Sequence, residues 1–206
     1  MRLLVVTAVE AERSAIAKGG VDVVTVGVGM AAAAAATAAL LQREGPVLGV
    51  VCVGIGGGID VPVGGLVVAT ASVAADLGAQ APDEPGGFLS LDQLGFGSST
   101  VECDPALVQR LRQRLPEAVP GKILTVATVT GTAARTAQLR QRHPDAVAEA
   151  MEGFGVACAA AQAGVPFAEV RAVSNVVGPR DRAAWRIPDA LAALARVGAV
   201  LATLAP

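Results

Sequence analysis

The chain has no tyrosine, one tryptophan and four phenylalanines; aromatic residues make up 2% of its 206 positions. Single strands of nucleic acid are held on aromatic stacking platforms in a basic groove, and duplexes through cations that neutralise phosphates. With 16 basic against 18 acidic residues and a formal charge of −2, the chain offers neither, which argues against a nucleic-acid partner. Cysteine is equally sparse. Cys52, Cys103 and Cys158 form an odd set without CxxC spacing, and His143 is the sole histidine. Neither a disulfide framework nor a metal site is supported, and three buried thiols in a reducing compartment are expected. His143 sits beside Pro144 at a helix end and reads as a surface cap. Charged residues are few, at 17%, while 53% are hydrophobic, so the chain has ample apolar surface to offset its ordering entropy and is not disordered.

A mean hydropathy of +0.56 raises the membrane question. The apolar stretch 47–75 is interrupted by a glycine run, Asp60 and Pro62, and the stretch 30–41 falls short of the roughly 20 residues a spanning helix needs. The short apolar run near the amino end meets Glu10 and Glu12, unlike a signal peptide. A soluble, cytoplasmic protein with no membrane partner is expected. Low charge with high hydropathy also points to apolar surface covered by self-association.

Residues 3–7, 21–26, 47–53, 66–72, 122–129 and 167–173 are short apolar runs rich in β-branched residues, the pattern of strands covered on both faces. Between them, helices are predicted over 9–18, 30–43, 104–115 (Asp104 as cap, Pro105 in the first turn), from 132 to about 143, over 151–163 and over 188–204. The alternation implies one α/β domain spanning 1–206, whose ligand sits beyond the carboxyl ends of the strands. Residues 75–103 lack sustained periodicity, and Phe88 and Phe96 mark that stretch as functional or as an interface.

Several segments carry chemistry. Residues 27–32, Gly-Val-Gly-Met-Ala-Ala, fit the dinucleotide fingerprint GxGxxA. The acidic residue expected after the next strand is missing, since that strand ends Cys52-Val53-Gly54; a tight strand-to-helix turn is the better reading. Residues 54–58 read as a second glycine loop, either plain or able to bring backbone N–H groups close to a phosphate or sugar oxygen. Glu10, Glu12 and Glu152 are either solvated charges or, if buried by a ligand, a general base and a binder of sugar hydroxyls. Arg171 lies inside an apolar strand and requires a carboxylate partner. Ser174 and Asn175 follow at that strand's carboxyl end.

Together these residues resemble the nucleoside phosphorylase and nucleosidase family. Residues 148–153 (Ala-Glu-Ala-Met-Glu-Gly), 165–167 (Val-Pro-Phe) and 171–175 (Arg-Ala-Val-Ser-Asn) are similar to its MEG…VPF…RAISD signature. Residues 7–12 resemble the nucleosidase opening GAMEEE, and 54–58 match GSAGG in position. Within the family the chain resembles the futalosine hydrolases most, through residues 152–157, the 174–181 segment, and 87–89 before 94–97. The resemblance implies a nucleoside phosphorylase-like fold with a central mixed β-sheet flanked by helices. It also implies hydrolysis of the N-glycosidic bond of a small-molecule purine nucleoside, futalosine, to hypoxanthine and dehypoxanthine futalosine in menaquinone biosynthesis, without cofactor or metal, by a homo-oligomer.

Carried over by position, the resemblance implies that Glu12 activates the attacking water, ahead of Glu10. Glu152 would hold the ribose hydroxyls with Met151 packed under the sugar, and the backbone at Ile55 and Gly56 would line the ribose side. Arg171 and Ser174 would position the reacting groups, and Phe154 would pack near the base. Methylthioadenosine nucleosidases carry Asp where this chain has Asn175. An amide accompanies 6-oxopurine substrates in the family and leaves the leaving-group proton to Asp181 or solvent. The alternatives are a methylthioadenosine/S-adenosylhomocysteine nucleosidase, a phosphorylase, and a catalytically silent nucleoside-binding protein.

Overall fold

The computed structural model of the chain describes residues 2–84 and 86–204. Strand β1 (Leu3–Thr7) is buried throughout. It runs into helix α1 (Glu10–Ala17), then β2 (Val23–Thr25), α2 (Met30–Glu44), β3 (Gly49–Gly58) and β4 (Leu66–Ala74). Two short strands follow, β5 (Gly78–Gln80) and β6 (Phe88–Ser90), then β7 (Thr100–Glu102) and α3 (Pro105–Arg114). The last third comprises β8 (Val119–Thr125), α4 (Ala133–Arg142), β9 (Ala146–Ala150), α5 (Gly153–Gln162), β10 (Phe167–Val176), a 3-10 turn (Arg182–Ala184) and α6 (Ile187–Ala202).

The sheet is mixed, as expected, and centres on β3. This strand pairs in parallel with β1 on one side and with β10 on the other. At its far end it pairs antiparallel with β9. β10 continues antiparallel to β4, β4 parallel to β8, and β8 parallel to β9, so these five strands close into a ring from which β1 and β2 extend. Alternation along β1 explains why its run is apolar throughout. Leu3 and Val5 pack with Ile16, Leu194 and Val197 under α1 and α6, whereas Leu4 and Val6 pack with Ala33, Val156 and Ala160 under α2 and α5. Helix α1, at eight residues, is too short to persist alone. Ile16, wholly buried, contributes about 1.5–3 kcal/mol by leaving water.

Four expectations are corrected by this architecture. Residues 54–58 are not a loop: β3 runs on through Gly58, because its backbone groups find partners in β10 and then in β9. β10 likewise reaches Val176, which puts Ser174 and Asn175 on a strand rather than in a loop. The helix expected from residue 151 begins at Gly153, and β9, an alanine-rich strand whose single β-branched residue is Val147, precedes it. The stretch 75–103 contains β5, β6 and β7. Two smaller corrections concern side chains. Cys158 is half-buried while Cys52 and Cys103 are buried, and His143, at the carboxyl end of α4, is half-buried instead of lying on the surface.

Among the described residues no helix is long and apolar enough to cross a membrane, and no cluster of metal-ligating side chains occurs.

Candidate active site

A cavity of roughly 370 Å³ opens at the carboxyl ends of β1, β3, β9 and β10. Its wall includes Glu12, Ile55, Gly56, Met151, Glu152, Ser174 and Asn175. Seven of the nine site residues inferred from sequence are thereby brought together. Arg171 lies directly behind the wall, and Phe154 is buried in α5, outside the lining, with its N–H donating to Thr125 Oγ1.

Glu12 is 3% exposed and sits in the first turn of α1. Its Oε2 accepts from Thr7 Oγ1 (2.7 Å), Ala8 N (3.1 Å) and Val9 N (3.3 Å). Its Oε1 accepts only from Ile55 N, at 2.8 Å, and keeps a lone pair unused. Glu10, two residues earlier, points outward to Arg13 and Ser14; the Arg13 guanidinium holds its carboxyl down at about 2.

The glycine that precedes Ile55 is dictated by crowding. A Cβ on Gly54 would lie 2.7 Å from Arg171 Nη1 and 2.9 Å from Glu12 Oε1. No side chain is compatible with both charged groups there. Arg171, 1% exposed, donates through Nε to Glu169 Oε1 (2.9 Å) and through Nη1 to Glu152 Oε2 (3.2 Å), and its Nη2 meets Cys52 Sγ at 3.3 Å. The expected carboxylate partner is thus a pair. Burial pushes the Glu169 carboxyl up, against the pull of Arg171. Burial also pushes up the Cys52 thiol, leaving it an unreactive neighbour. Glu152 immediately precedes α5 without capping it, and its Oε1 accepts from Gly29 N at 3.3 Å. Gly29, at φ 87°, makes the tight turn ahead of α2, so residues 27–32 serve the cavity through one backbone N–H.

A register shift in β10 between Val173 and Asn175 leaves Ser174 as an extra residue, the geometry of a bulge that re-aims neighbouring side chains. Both Ser174 and Asn175 consequently line the cavity. Ser174 Oγ donates to Asn175 Oδ1 at 2.8 Å, and Asn175 Nδ2 donates to the Val176 carbonyl at 3.1 Å. The second Nδ2 hydrogen of Asn175 is free, so the amide offers a ligand a donor.

Lining groups not inferred from the sequence include Glu149, Thr130, Arg180 and Trp185. Glu149 is 5% exposed on β9. Its Oε1 accepts from Thr130 N at 2.7 Å, and its Oε2 from Thr130 Oγ1. Burial raises its carboxyl above the usual range, and the Thr130 donors oppose that shift. Its place two residues before Met151 was the available signal. Trp185 stands at the mouth with the Arg180 and Arg182 guanidinium groups each 5.8 Å from its ring centre. Among the described residues, Glu12, Glu149, Glu152 and Asp181 line the cavity against a single cation, Arg180.

Comparison with known proteins yields a coherent set. The phosphorylase superfamily model matches residues 7–205. The futalosine hydrolase of Streptomyces coelicolor is 52% identical over 220 residues, covering 94% of this chain and 92% of that protein. The futalosine hydrolase of Acidothermus cellulolyticus is 47% identical over 224 residues, covering 98% and 90%. Among solved structures, the native futalosine hydrolase of Helicobacter pylori aligns with a TM-score of 0.83 at 19% identity, covering 99% of this chain and 97% of that one. A methylthioadenosine/S-adenosylhomocysteine nucleosidase of Colwellia psychrerythraea, in complex with adenine, gives 0.82 at 24% identity, covering 100% and 96%. At those identities the structural likeness speaks for the fold alone.

Proposed function

This chain belongs to the phosphorylase superfamily, and on that premise we propose that its cavity hydrolyses the N-glycosidic bond of futalosine, releasing hypoxanthine and dehypoxanthine futalosine for menaquinone biosynthesis. The near-full-length relatives named above support the substrate. The observation that carries the chemistry is the buried Glu12 carboxylate, held by four donors yet left with one lone pair on Oε1.

Breaking the bond between C1′ and N9 builds positive charge on the ribose and negative charge on the departing purine. Glu12 takes a proton from a water molecule as that oxygen bonds to C1′, a contribution of about 10²–10⁴-fold. Glu152, oriented by Arg171 and Gly29 N–H, accepts from the ribose hydroxyls, and Met151 packs under the sugar. The free N–H of Asn175 meets N7, where it stabilises the electron pair that leaves with the purine. The purine takes its proton from solvent on release.

Water is the nucleophile because phosphate is repelled. Four carboxyl groups face the cavity, and Arg171 is committed to Glu152 and Glu169. A dianion entering that field meets net repulsion. The enzyme acts in the cytoplasm as a homo-oligomer, a reading favoured by exposed apolar side chains such as Phe96 (79%) and Val28 (54%).

The test is chromatography of futalosine incubated with the pure protein. Free hypoxanthine is expected, with no sugar 1-phosphate when phosphate is added. Adenine released from methylthioadenosine without hypoxanthine from futalosine would replace this reading with the nucleosidase one, and no release from either would make the chain a silent binder.

A further inference from the structure

One buried group in the cavity takes no part in the steps above. Glu149 lies on β9 directly opposite Gly57 of β3, and Gly57 is paired on its other side with Asn175 of β10. Residues paired directly across strands present their side chains to the same face of a sheet. Glu149 and Asn175 therefore flank a glycine, their Cα atoms two strand spacings apart, about 10 Å. The glycine keeps the gap open: a Cβ on Gly57 would come within 3.3 Å of Asn175 Nδ2 and 2.7 Å of Val177 Cγ2. Both flanking side chains line the cavity.

The two sides of this gap differ in hydrogen-bonding sense. Asn175 offers a donor, because Val176 takes only one of its two Nδ2 hydrogens. Glu149 offers an acceptor, because Thr130 supplies a donor to each of its oxygens and leaves further lone pairs unused. A 6-oxopurine carries an acceptor at N7 and at O6 and a donor at N1–H. A 6-aminopurine has a bare lone pair at N1, which would face the lone pairs of a carboxylate.

We propose that Glu149 is a specificity-determining residue that accepts the N1–H of a 6-oxopurine across the gap from Asn175 and rejects a 6-aminopurine at the same position. The selection works through repulsion as much as attraction, since a carboxylate opposite N1 leaves two acceptors unpaired when adenine is bound. The assignment rests on the nucleoside hydrolysis proposed above and adds how the base is chosen.

Glu149→Gln tests it. The readout is the ratio of kcat/KM for futalosine to kcat/KM for the nucleoside bearing the same ribose substituent on adenine. Loss of a charge-assisted hydrogen bond predicts a ratio lower by about 10- to 100-fold, with the adenine nucleoside unchanged or improved. A role confined to packing would lower both activities together, and that result, or an unchanged ratio, overturns the assignment while leaving the hydrolase reading intact. Absence of hypoxanthine release by the wild-type protein would remove both. A measurement that needs no variant is a crystal of the wild-type protein with hypoxanthine. N1 within about 3.2 Å of a Glu149 oxygen is expected, and N1 beyond about 4 Å from both oxygens overturns the proposal.

Discussion

Replacing Glu12 by Gln separates its structural work from its chemical work, and the geometry sets both magnitudes. The isosteric amide keeps one acceptor oxygen and gains an NH2. Placed at Oε2, the NH2 would face three donors, from Thr7, Ala8 and Val9; placed at Oε1, it faces only Ile55 N. The second orientation wins, and its cost is one buried donor left unpaired, about 1–3 kcal/mol. A domain of ordinary stability, about 5–15 kcal/mol, survives that loss. The same orientation puts a nitrogen without a lone pair where the water's proton must go, so the general-base contribution vanishes and turnover falls by about 10²–10⁴-fold. Hypoxanthine release, followed by coupled oxidation to urate, reads the rate, and thermal unfolding followed by circular dichroism reads the fold. A variant that melts close to the wild type but turns over at least 100-fold more slowly is expected. Activity within a factor of ten of wild type in a folded Glu12→Gln protein would mean that Glu12 only ties β1, α1 and β3 together.

Three further outcomes follow from the same geometry. Asn175→Asp replaces the free N–H by an acceptor and should shift kcat/KM toward 6-aminopurine nucleosides; an unchanged preference in side-by-side assays would remove Asn175 from base recognition. Gly54→Ala forces a methyl against Arg171 Nη1 and Glu12 Oε1, so a loss of about 100-fold in kcat is expected alongside about 1–3 kcal/mol of stability, measured by initial rates and denaturant unfolding; normal kinetics would show that the two groups yield freely. His143 is pushed down to about 4 by burial and by the charges of Arg142 and Lys122, so on acidification the unfolded chain binds its proton first. Its contribution is complete above about 6.5 and is lost as pH falls toward about 4. Melting curves should show the wild type losing more stability than His143→Asn as pH falls from about 6.5 to about 4, and parallel pH profiles would count against the effect.

The legible parts of this molecule are those governed by local rules. Apolar runs bounded by glycine marked the central strands, and Asp104-Pro105 marked the start of α3, where the Asp104 side chain does accept from Leu107 N. The placement of Glu12, Glu152 and Asn175 on one cavity followed from family-like segments, each at the carboxyl end of a strand. Arg171 was legible for a physical reason, since a cation in an apolar strand demands a carboxylate. What escaped was set by contacts distant in sequence. Residues 54–58 looked like a loop because glycine usually breaks strands. Here a Cβ at Gly54 would press on Arg171 and Glu12, one at Gly57 on Val177 and Asn175, and those at Gly56 and Gly58 on the Glu149 and Val61 carbonyls, so the strand keeps glycine at these four positions.

The row formed by Glu149, Gly57 and Asn175 is the clearest case of the same limit. Its members come from three strands separated by 92 and 26 positions, and their alignment depends on the register shift next to Ser174. Were Ser174 paired with Gly57 instead of bulged, Asn175 would sit one position further along β3, opposite Gly58, and a one-residue slip turns a side chain to the opposite face. On the proposed reading, base recognition depends on pairing register as well as on residue identity. Deleting Ser174 removes the bulge but leaves Asn175, now directly after Val173, opposite Gly57, so selection between 6-oxo- and 6-aminopurine nucleosides should persist. A folded deletion protein that has lost the preference, in side-by-side kcat/KM measurements on the two nucleosides, would refute the dependence on register.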